Sequence, residues 1–494
     1  MSLPNSPNIS RCPEVRRHNS LAHHASMKDI EAFCRPESIV IIGASGREGK
    51  IGNTIVRNVV DWPGRLYLVN PRETEILGKK VHQNLSDIPD DVALAIIAVD
   101  AKKAVEAAKL CARKRFRALI ILSSGFSETG SEGAALEAEL KEQVLSTGTR
   151  ILGPNTLGVF IPGTGLDTIF VEHGDRMFAE PGDVALITQS GSVGVEAPGV
   201  SGVIGWGLRA FIGLGNRIDV GENELLEYFA RDNGTKCIAV YLETFQNGHV
   251  FLDRCRRIAP GKPVVVLKAG RSEAAMEAIA SHTGTMASPG DVFFGAARQA
   301  CVHCAENEEQ LTDYSKILAR EPAPMNPGVA VVTNAGGYGI ITLDLMSKAR
   351  YLKVLRLSDD TISRIREKTP PFASFNNPVD LTASVDNIMT EHALNVLEQD
   401  PAVGLIFFHA LFAPPNIDRN GQIEIIAGHR SRTRKPFIVF VAYGPFTNEI
   451  ALTLYRRGVI TFTSLSRAVK AMDILAERGH FLKKMSRMKE GKEP

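Results

Sequence analysis

The run Ala280-Ser281-His282-Thr283-Gly284-Thr285-Met286-Ala287 sets one imidazole among residues too small to bury it. Its ring is approachable, and the flanking hydroxyls and backbone N–H groups suit an anion. These features point to a histidine that carries a phosphoryl group. For an imidazole nitrogen to attack phosphorus, the ring must be neutral and its other N–H held, and a neighbouring carboxylate does both. Glu243, at the end of an apolar run over 237–242, is the candidate for that role. The phosphorylated product is doubly charged and needs donors. Thr188-Gln189-Ser190-Gly191-Ser192-Val193-Gly194 reads as a small, polar strand-to-helix turn, which offers N–H groups and the positive end of a helix dipole.

Groups so distant in sequence act together only if the fold gathers them. Apolar runs at 184–188, 209–213, 237–242 and 263–268 alternate with helix-length pieces such as 222–230. That alternation predicts an α/β unit with a parallel sheet and covering helices. The carboxyl ends of parallel strands share one edge, so Ser190, Glu243 and His282 are expected in one crevice.

An earlier block repeats the rhythm, with strands expected at 38–42, 66–69, 94–99, 119–122 and 150–152 and a helix over 101–114. Its first strand runs into Gly43-Ala44-Ser45-Gly46-Arg47-Glu48-Gly49-Lys50-Ile51-Gly52, followed by a helix opening near Asn53. Glycines let the backbone approach a phosphate, and Arg47 and Lys50 add positive charge. The spacing is G-x-x-G-x-x-G, and the second strand ends at Asn70-Pro71 where a nicotinamide ribose needs an acid. A phosphate-bearing, nucleotide-like ligand other than a nicotinamide dinucleotide is expected; a tight turn with solvated cations is the plain alternative.

A proline-dense hinge at 321–328 opens a third block, with strands expected at 329–333, 353–357, 403–409, 436–442 and 459–462. Its first strand feeds Thr333-Asn334-Ala335-Gly336-Gly337-Tyr338-Gly339, so all three blocks begin with a strand and a glycine-bearing turn. The segment 370–380, with Phe372 and Phe375, reads as an ordered loop. Cys301-Val302-His303-Cys304 has half-site spacing but no second pair nearby, and two thiols three apart on a helix would pack inward.

With 57 lysines and arginines against 55 aspartates and glutamates, no global field steers the chain onto nucleic acid. No apolar run approaches the roughly 18 residues of a membrane span. Seven scattered cysteines make no disulfide framework and suit a reducing, cytoplasmic setting. Residues 1–28 lack the apolar stretch of a secretory signal and read as a disordered extension, with a transit peptide the alternative; 481–494 reads as a charged tail.

Across roughly 30–478 the chain resembles the alpha subunits of ADP-forming acetyl-CoA synthetases, within the succinyl-CoA synthetase superfamily. The resemblance rests on Ile41-Ile42-Gly43-Ala44-Ser45, Gly153-Pro154-Asn155-Thr156-Leu157-Gly158, Thr188-Gln189-Ser190-Gly191, Gly215-Asn216-Arg217-Ile218-Asp219-Val220, Tyr241-Leu242-Glu243, Ser281-His282-Thr283-Gly284, Thr333-Asn334-Ala335-Gly336-Gly337 and Asn377-Pro378-Val379-Asp380-Leu381. It implies a Rossmann-like CoA-binding domain over 29–157, a flavodoxin-like phosphohistidine domain over 158–320 and a second flavodoxin-like ligase domain over 321–480. Coenzyme A would meet Gly43, Ser45, Gly46, Lys50, Asn70 and Pro71. His282 would be phosphorylated with Glu243 as partner, and Ser190, Gly191, Ser192 and Gly284 would hold the phosphoryl group.

The implied reaction interconverts acyl-CoA, ADP and phosphate with a carboxylic acid, CoA and ATP through acyl phosphate and phosphohistidine. No length remains after Arg478 for the family's ATP-grasp module. ATP or ADP with Mg2+ is therefore expected on a separate ATP-grasp beta subunit, in a heterotetramer, with no metal on this chain. A non-catalytic CoA-binding sensor or scaffold is the alternative. Tyr338 departs from the smaller residue expected after Gly336-Gly337, which bears on third-domain packing or partner contact.

Overall fold

The computed structural model describes residues 27–171, 181–194, 205–283 and 290–490. Near-continuous β-branched and apolar stretches give strands buried on both faces, as parallel sheets require: Ser38–Ile42 is buried at every position. The first sheet comprises β1 (Ser38–Ile42), β2 (Arg65–Val69), β3 (Glu75–Ile76), β4 (Lys79–His82), β5 (Leu94–Ile97), β6 (Ala118–Ile121) and β7 (Arg150–Leu152). Its order is β3-β4-β2-β1-β5-β6-β7, parallel except for the β3–β4 hairpin. That hairpin was not expected, because Glu75-Ile76 and Lys79-Lys80-Val81-His82 are short, largely exposed edge pieces without an apolar run.

The second sheet contains β8 (Val159–Ile161), β9 (Leu166–Asp167), β10 (Val184–Thr188), β11 (Leu208–Gly213), β12 (Cys237–Leu242), β13 (Val264–Lys268) and β14 (His303–Ala305). The third has β15 (Gly328–Thr333), β16 (Lys353–Val354), β17 (Val379–Asp380), β18 (Leu405–Leu411), β19 (Phe437–Ala442) and β20 (Ile460–Phe462). The orders β11-β10-β12-β13-β14 and β16-β15-β18-β19-β20 follow one flavodoxin-like scheme, with winding reversing beside β10 and β15. The fold is a Rossmann-like α/β domain followed by two flavodoxin-like domains.

Three expectations change. The segment 153–174, read as turns, supplies β8 and β9, which extend the second sheet, β8 antiparallel to β11 and β9 antiparallel to β8. The loop over 370–380 ends in β17, paired with β15. Cys301-Val302-His303-Cys304 is not helical: the helix Gly290–Gln299 stops, Cys301 turns at φ 57°, and β14 begins. His303 is fully buried with Nδ1 2.7 Å from Glu477 Oε2, and burial pushes the Cys304 thiol up to about 12. Among the described residues no group of three His, Cys, Asp or Glu could hold a metal ion, and no helix is long and apolar enough to cross a membrane.

The domains share cores. Leu186, Trp206, Leu311, Phe407 and Met472 belong to one apolar cluster, which encloses the helices Glu308–Arg320 and Leu465–Lys489 between the second and third sheets. Leu465–Lys489 clasps both domains: Arg467 holds Asp313 through two bonds of 2.7 and 2.9 Å, and Arg478 donates to the carbonyls of Ala259 and Pro260. The boundary expected at 480/481 falls inside this helix, where Phe481 is buried and its ring lies 5.4 Å from that of His303. Tyr338 packs within the third domain, its ring edge-on to Phe440 at 5.1 Å.

Candidate active site

At the end of β1 the chain turns at Gly43, where φ is 94° and a Cβ would lie 2.6 Å from the carbonyl oxygen of Ala98. Only glycine fits there. The helix Ile51–Val59 then starts so close to β1 that a Cβ on Gly52 would sit 1.9 Å from the Gly43 carbonyl oxygen. Lys50 is its exposed N-cap. Asn70 braces the loop: its side-chain nitrogen donates to Ala44 O at 2.7 Å and its oxygen accepts from Arg72 N–H at 2.8 Å. Pro71 is exposed beside it.

Sequence reasoning missed Glu73. Its carboxylate accepts from the Gly46 N–H at 2.8 Å and from the Ser45 hydroxyl at 3.3 Å. An acid therefore does reach the loop after the second strand, three residues beyond Asn70. A phosphate approaching the Gly46 amide must compete with this carboxylate, and the choice between CoA and a dinucleotide cannot rest on a missing acid. The only early signal was a glutamate shortly after a strand end, hidden behind Pro71-Arg72.

In the second domain, Thr188 closes the strand-to-helix turn. Its hydroxyl donates to Ser190 O at 2.9 Å and accepts from Ser190 N–H at 3.2 Å. Residues 191–194 are helical; the Ser190 hydroxyl accepts from Val193 N–H at 3.4 Å and lies 3.0 Å from the Ser192 hydroxyl. A Cβ on Gly191 would meet open space, so the turn's outer face is accessible.

β10 and β12 are neighbours, with Thr188 opposite Tyr241, so Ser190 and Glu243 lie just past adjacent strand ends. Gln189 joins them: its side-chain oxygen accepts from the N–H groups of Glu243 and Thr244 at 3.0 and 3.1 Å. Glu243 is 7% exposed. Burial, with Glu243 adding to it, pushes the Tyr241 hydroxyl up to about 12. Burial also holds the Lys268 ammonium below its ordinary value, against the opposing pull of Glu243. This edge thus combines a buried carboxylate, a buried amine and a polar helix start.

The helix Glu273–Thr283 follows β13 and places His282 in its last turn, not in the turn after it. The His282 side chain and the whole of Gly284 lie outside the described residues. The helix packs near the turn Ser127–Thr129 of the first domain, so it runs along the seam between the two domains.

That seam brings two carboxyl-terminal edges together. Asn216 N–H donates to Pro154 O at 2.8 Å and Ile218 N–H to Gly153 O at 3.2 Å. Arg150 holds Asp219 through two 2.8 Å bonds. The loops 153–158 and 215–220, both at carboxyl-terminal strand ends, thus lock the first two domains together. A cavity of about 930 Å³ opens on the side of the second sheet that faces the third domain, lined by Val193, Trp206, Tyr241, Leu267, Leu311 and Arg467. A second cavity, about 530 Å³, lies at the opposite, amino-terminal strand ends near Arg35, Trp62 and Tyr228, away from this chemistry.

Comparison with known proteins yields three domain families in succession. A CoA binding domain matches residues 37–162, a succinyl-CoA ligase like flavodoxin domain 181–318, and a Ligase-CoA domain 329–485. The alpha subunit of ADP-forming acetate–CoA ligase I of Pyrococcus furiosus is 33% identical, over 90% of this chain and 97% of that subunit. ADP-forming acetate–CoA ligase I of Archaeoglobus fulgidus is 32% identical over 90% of this chain but only 63% of its own length. Among solved structures, acetyl-coenzyme A synthetase 1 of Ca. Korarchaeum cryptofilum, in complex with phosphate and ADP, superimposes with a TM-score of 0.84 at 29% identity, covering 93% of this chain and 99% of that one.

Proposed function

We propose, since the chain belongs to the family of ADP-forming acetate–CoA ligases, that it is the alpha-type subunit of an acid–thiol ligase in which CoA chemistry and phosphoryl transfer share the crevice between its first two domains. The reading is supported by the seam that joins the first two domains through the loops 153–158 and 215–220, with Ser190 and Glu243 just past adjacent strand ends and the His282 helix near the turn Ser127–Thr129 of the first domain.

In the ATP-forming direction, orthophosphate attacks the thioester carbonyl of acyl-CoA, the C–S bond breaks, and CoA leaves as thiolate. A nitrogen of His282 then attacks phosphorus and displaces the carboxylate, giving free acid and phosphohistidine. Glu243 holds the other ring N–H and stabilises the imidazolium character that develops. Ser190, Gly191 and Ser192, at a helix start, receive the phosphoryl oxygens, and Gly284, two residues after His282 in sequence, adds a backbone donor. Gly43, Ser45, Gly46 and Lys50 take the CoA phosphates with Glu73 displaced, while Asn70 and Pro71 keep the loop in shape.

The final acceptor, ADP with Mg2+, sits on an ATP-grasp beta subunit. Two similar proteins of Pyrococcus furiosus carry the name subunit alpha, which supports a partner subunit. Two copies of each subunit make the assembly, and the reducing cytoplasm is its compartment.

The test combines the chain with an ATP-grasp partner and measures CoA thioester and ADP formation across a panel of carboxylic acids. CoA- and acid-dependent ADP release is expected. CoA binding by calorimetry without turnover on any acid would favour a sensor or scaffold instead.

A further inference from the structure

The loop Gly215-Asn216-Arg217-Ile218-Asp219-Val220 is set apart by its sequence, yet neither CoA binding nor phosphoryl transfer assigns it a task. Arg217 holds a left-handed backbone, φ 58°, which is unusual for a side-chain-bearing residue. Its side chain is buried, 8% exposed, so the guanidinium serves the interior. Nη1 donates to Glu222 Oε2 and to the Thr244 carbonyl oxygen, both at 3.0 Å, and Nη2 to the Thr244 hydroxyl at 2.6 Å. Gln246 closes the ring, donating from its side chain to Arg217 O at 2.5 Å and from its backbone to Glu222 Oε1 at 3.0 Å.

Thr244 directly follows Glu243. Gln189 holds the same two residues from the other side, accepting from both N–H groups and donating to the Thr244 hydroxyl at 3.3 Å. Glu243 is therefore bracketed, its backbone fixed by Gln189 on one flank and by Arg217 through Thr244 on the other. A charged, bidentate donor is the strong and directional choice for such a bracket.

The residue before Arg217 faces the first domain. Asn216 Nδ2 lies 2.6 Å from Glu128 Oε2, 3.2 Å from Glu137 Oε2 and 3.2 Å from the Ser127 hydroxyl, in the turn that borders the His282 helix. Adjacent side chains thus engage the CoA-binding domain and the Glu243 turn.

We propose that Arg217 is a positioning residue that acts on the phosphoryl site through Thr244 and Glu243, and that Asn216 ties this bracket to the first domain. The proposal rests on the reading of Glu243 as the partner of His282. Because Arg217→Ala would leave the buried Glu222 carboxylate unpaired and could unfold the loop, the informative variants are Arg217→Lys and Thr244→Val. Thr244→Val keeps the shape and the Arg217–Glu222 pair.

The experiment measures single-turnover phosphorylation of the full-length chain from acetyl-CoA and labelled orthophosphate, with CoA affinity and thermal midpoint measured in parallel. Each variant should phosphorylate at least tenfold more slowly with CoA affinity close to wild type, and Thr244→Val, which leaves the buried Arg217 Nη2 donor unpaired, should lower the midpoint without unfolding the chain. In the Glu243→Gln background, Thr244→Val should add less than a twofold effect, since a positioning residue has nothing left to position. If Thr244→Val slows the Glu243→Gln chain by the same factor as the wild type, Arg217 does not act through Glu243 and the positioning role is overturned. If Glu243→Gln alone phosphorylates at the wild-type rate, the underlying reading of Glu243 fails and the proposal falls with it.

Discussion

Replacing Glu243 by glutamine keeps the Gln189 bracket, which uses the backbone N–H, and removes the negative charge beside Lys268. Phosphorylation should slow by roughly 10²–10⁴, the usual range for a positioned acid–base or electrostatic group, while the fold and CoA affinity stay intact. A rapid-quench measurement of Glu243→Gln at the wild-type rate would remove the residue from the mechanism. Gly52→Ala makes the opposite trade. Its Cβ would sit 1.9 Å from the Gly43 carbonyl oxygen, so the helix must lift off β1. A loss of about 1–3 kcal/mol is expected from such overpacking, together with weakened CoA binding by calorimetry. The placement of Ser190 and Glu243 past adjacent strand ends could be read from sequence because both follow apolar strands. Glu73 and Arg217 could not: one lies beyond a turn, and the other depends on a positive φ that no arginine announces.

At the scale of elements, the helix Glu273–Thr283 stands out for sparse packing. Ile279 is the one buried side chain among its described residues, whereas Glu273, Ala274, Glu277 and Ala278 are exposed. Few buried apolar contacts mean a low local opening free energy. Its amides should therefore exchange with deuterium faster than those of Gly248–Ile258, which buries Phe251, Cys255 and Ile258. Equal protection of the two helices would contradict this expectation.

Two buried histidines of the third domain should contribute to acid sensitivity. Burial lowers His409 to about 3 and His429 to about 4, both below the ordinary imidazole value. The unfolded chain then binds these protons more readily. The resulting stability is complete above about pH 6.5 and is lost as pH falls towards 4, on the order of 3 kcal/mol per histidine. His429→Leu, which keeps an apolar body against Phe437, should flatten the decline of the thermal midpoint between pH 6.5 and 4.5. An unchanged slope would contradict the assignment. Strand-forming runs such as 184–188 and 237–242 were legible residue for residue. The short β14 was not, because two cysteines at helical spacing masked a left-handed turn at Cys301.

For the whole molecule, three α/β units and their order followed from the repeated sequence of strand, glycine turn and helix. What the sequence could not convey is how the units join. The core shared around Glu308–Arg320 and Leu465–Lys489 depends on which helix faces meet, and the crevice depends on the 153–158 and 215–220 loops locking together. The proposed function puts CoA and phosphoryl chemistry on this chain and the nucleotide on a partner. The division has a direct consequence: acyl-CoA and phosphate alone should charge the histidine. The most direct measurement is therefore incubation of the isolated chain with acetyl-CoA and labelled orthophosphate, followed by tests of acid and base stability. Acid-labile, base-stable label is expected on wild type and none on His282→Ala; equal labelling of the two would contradict the account.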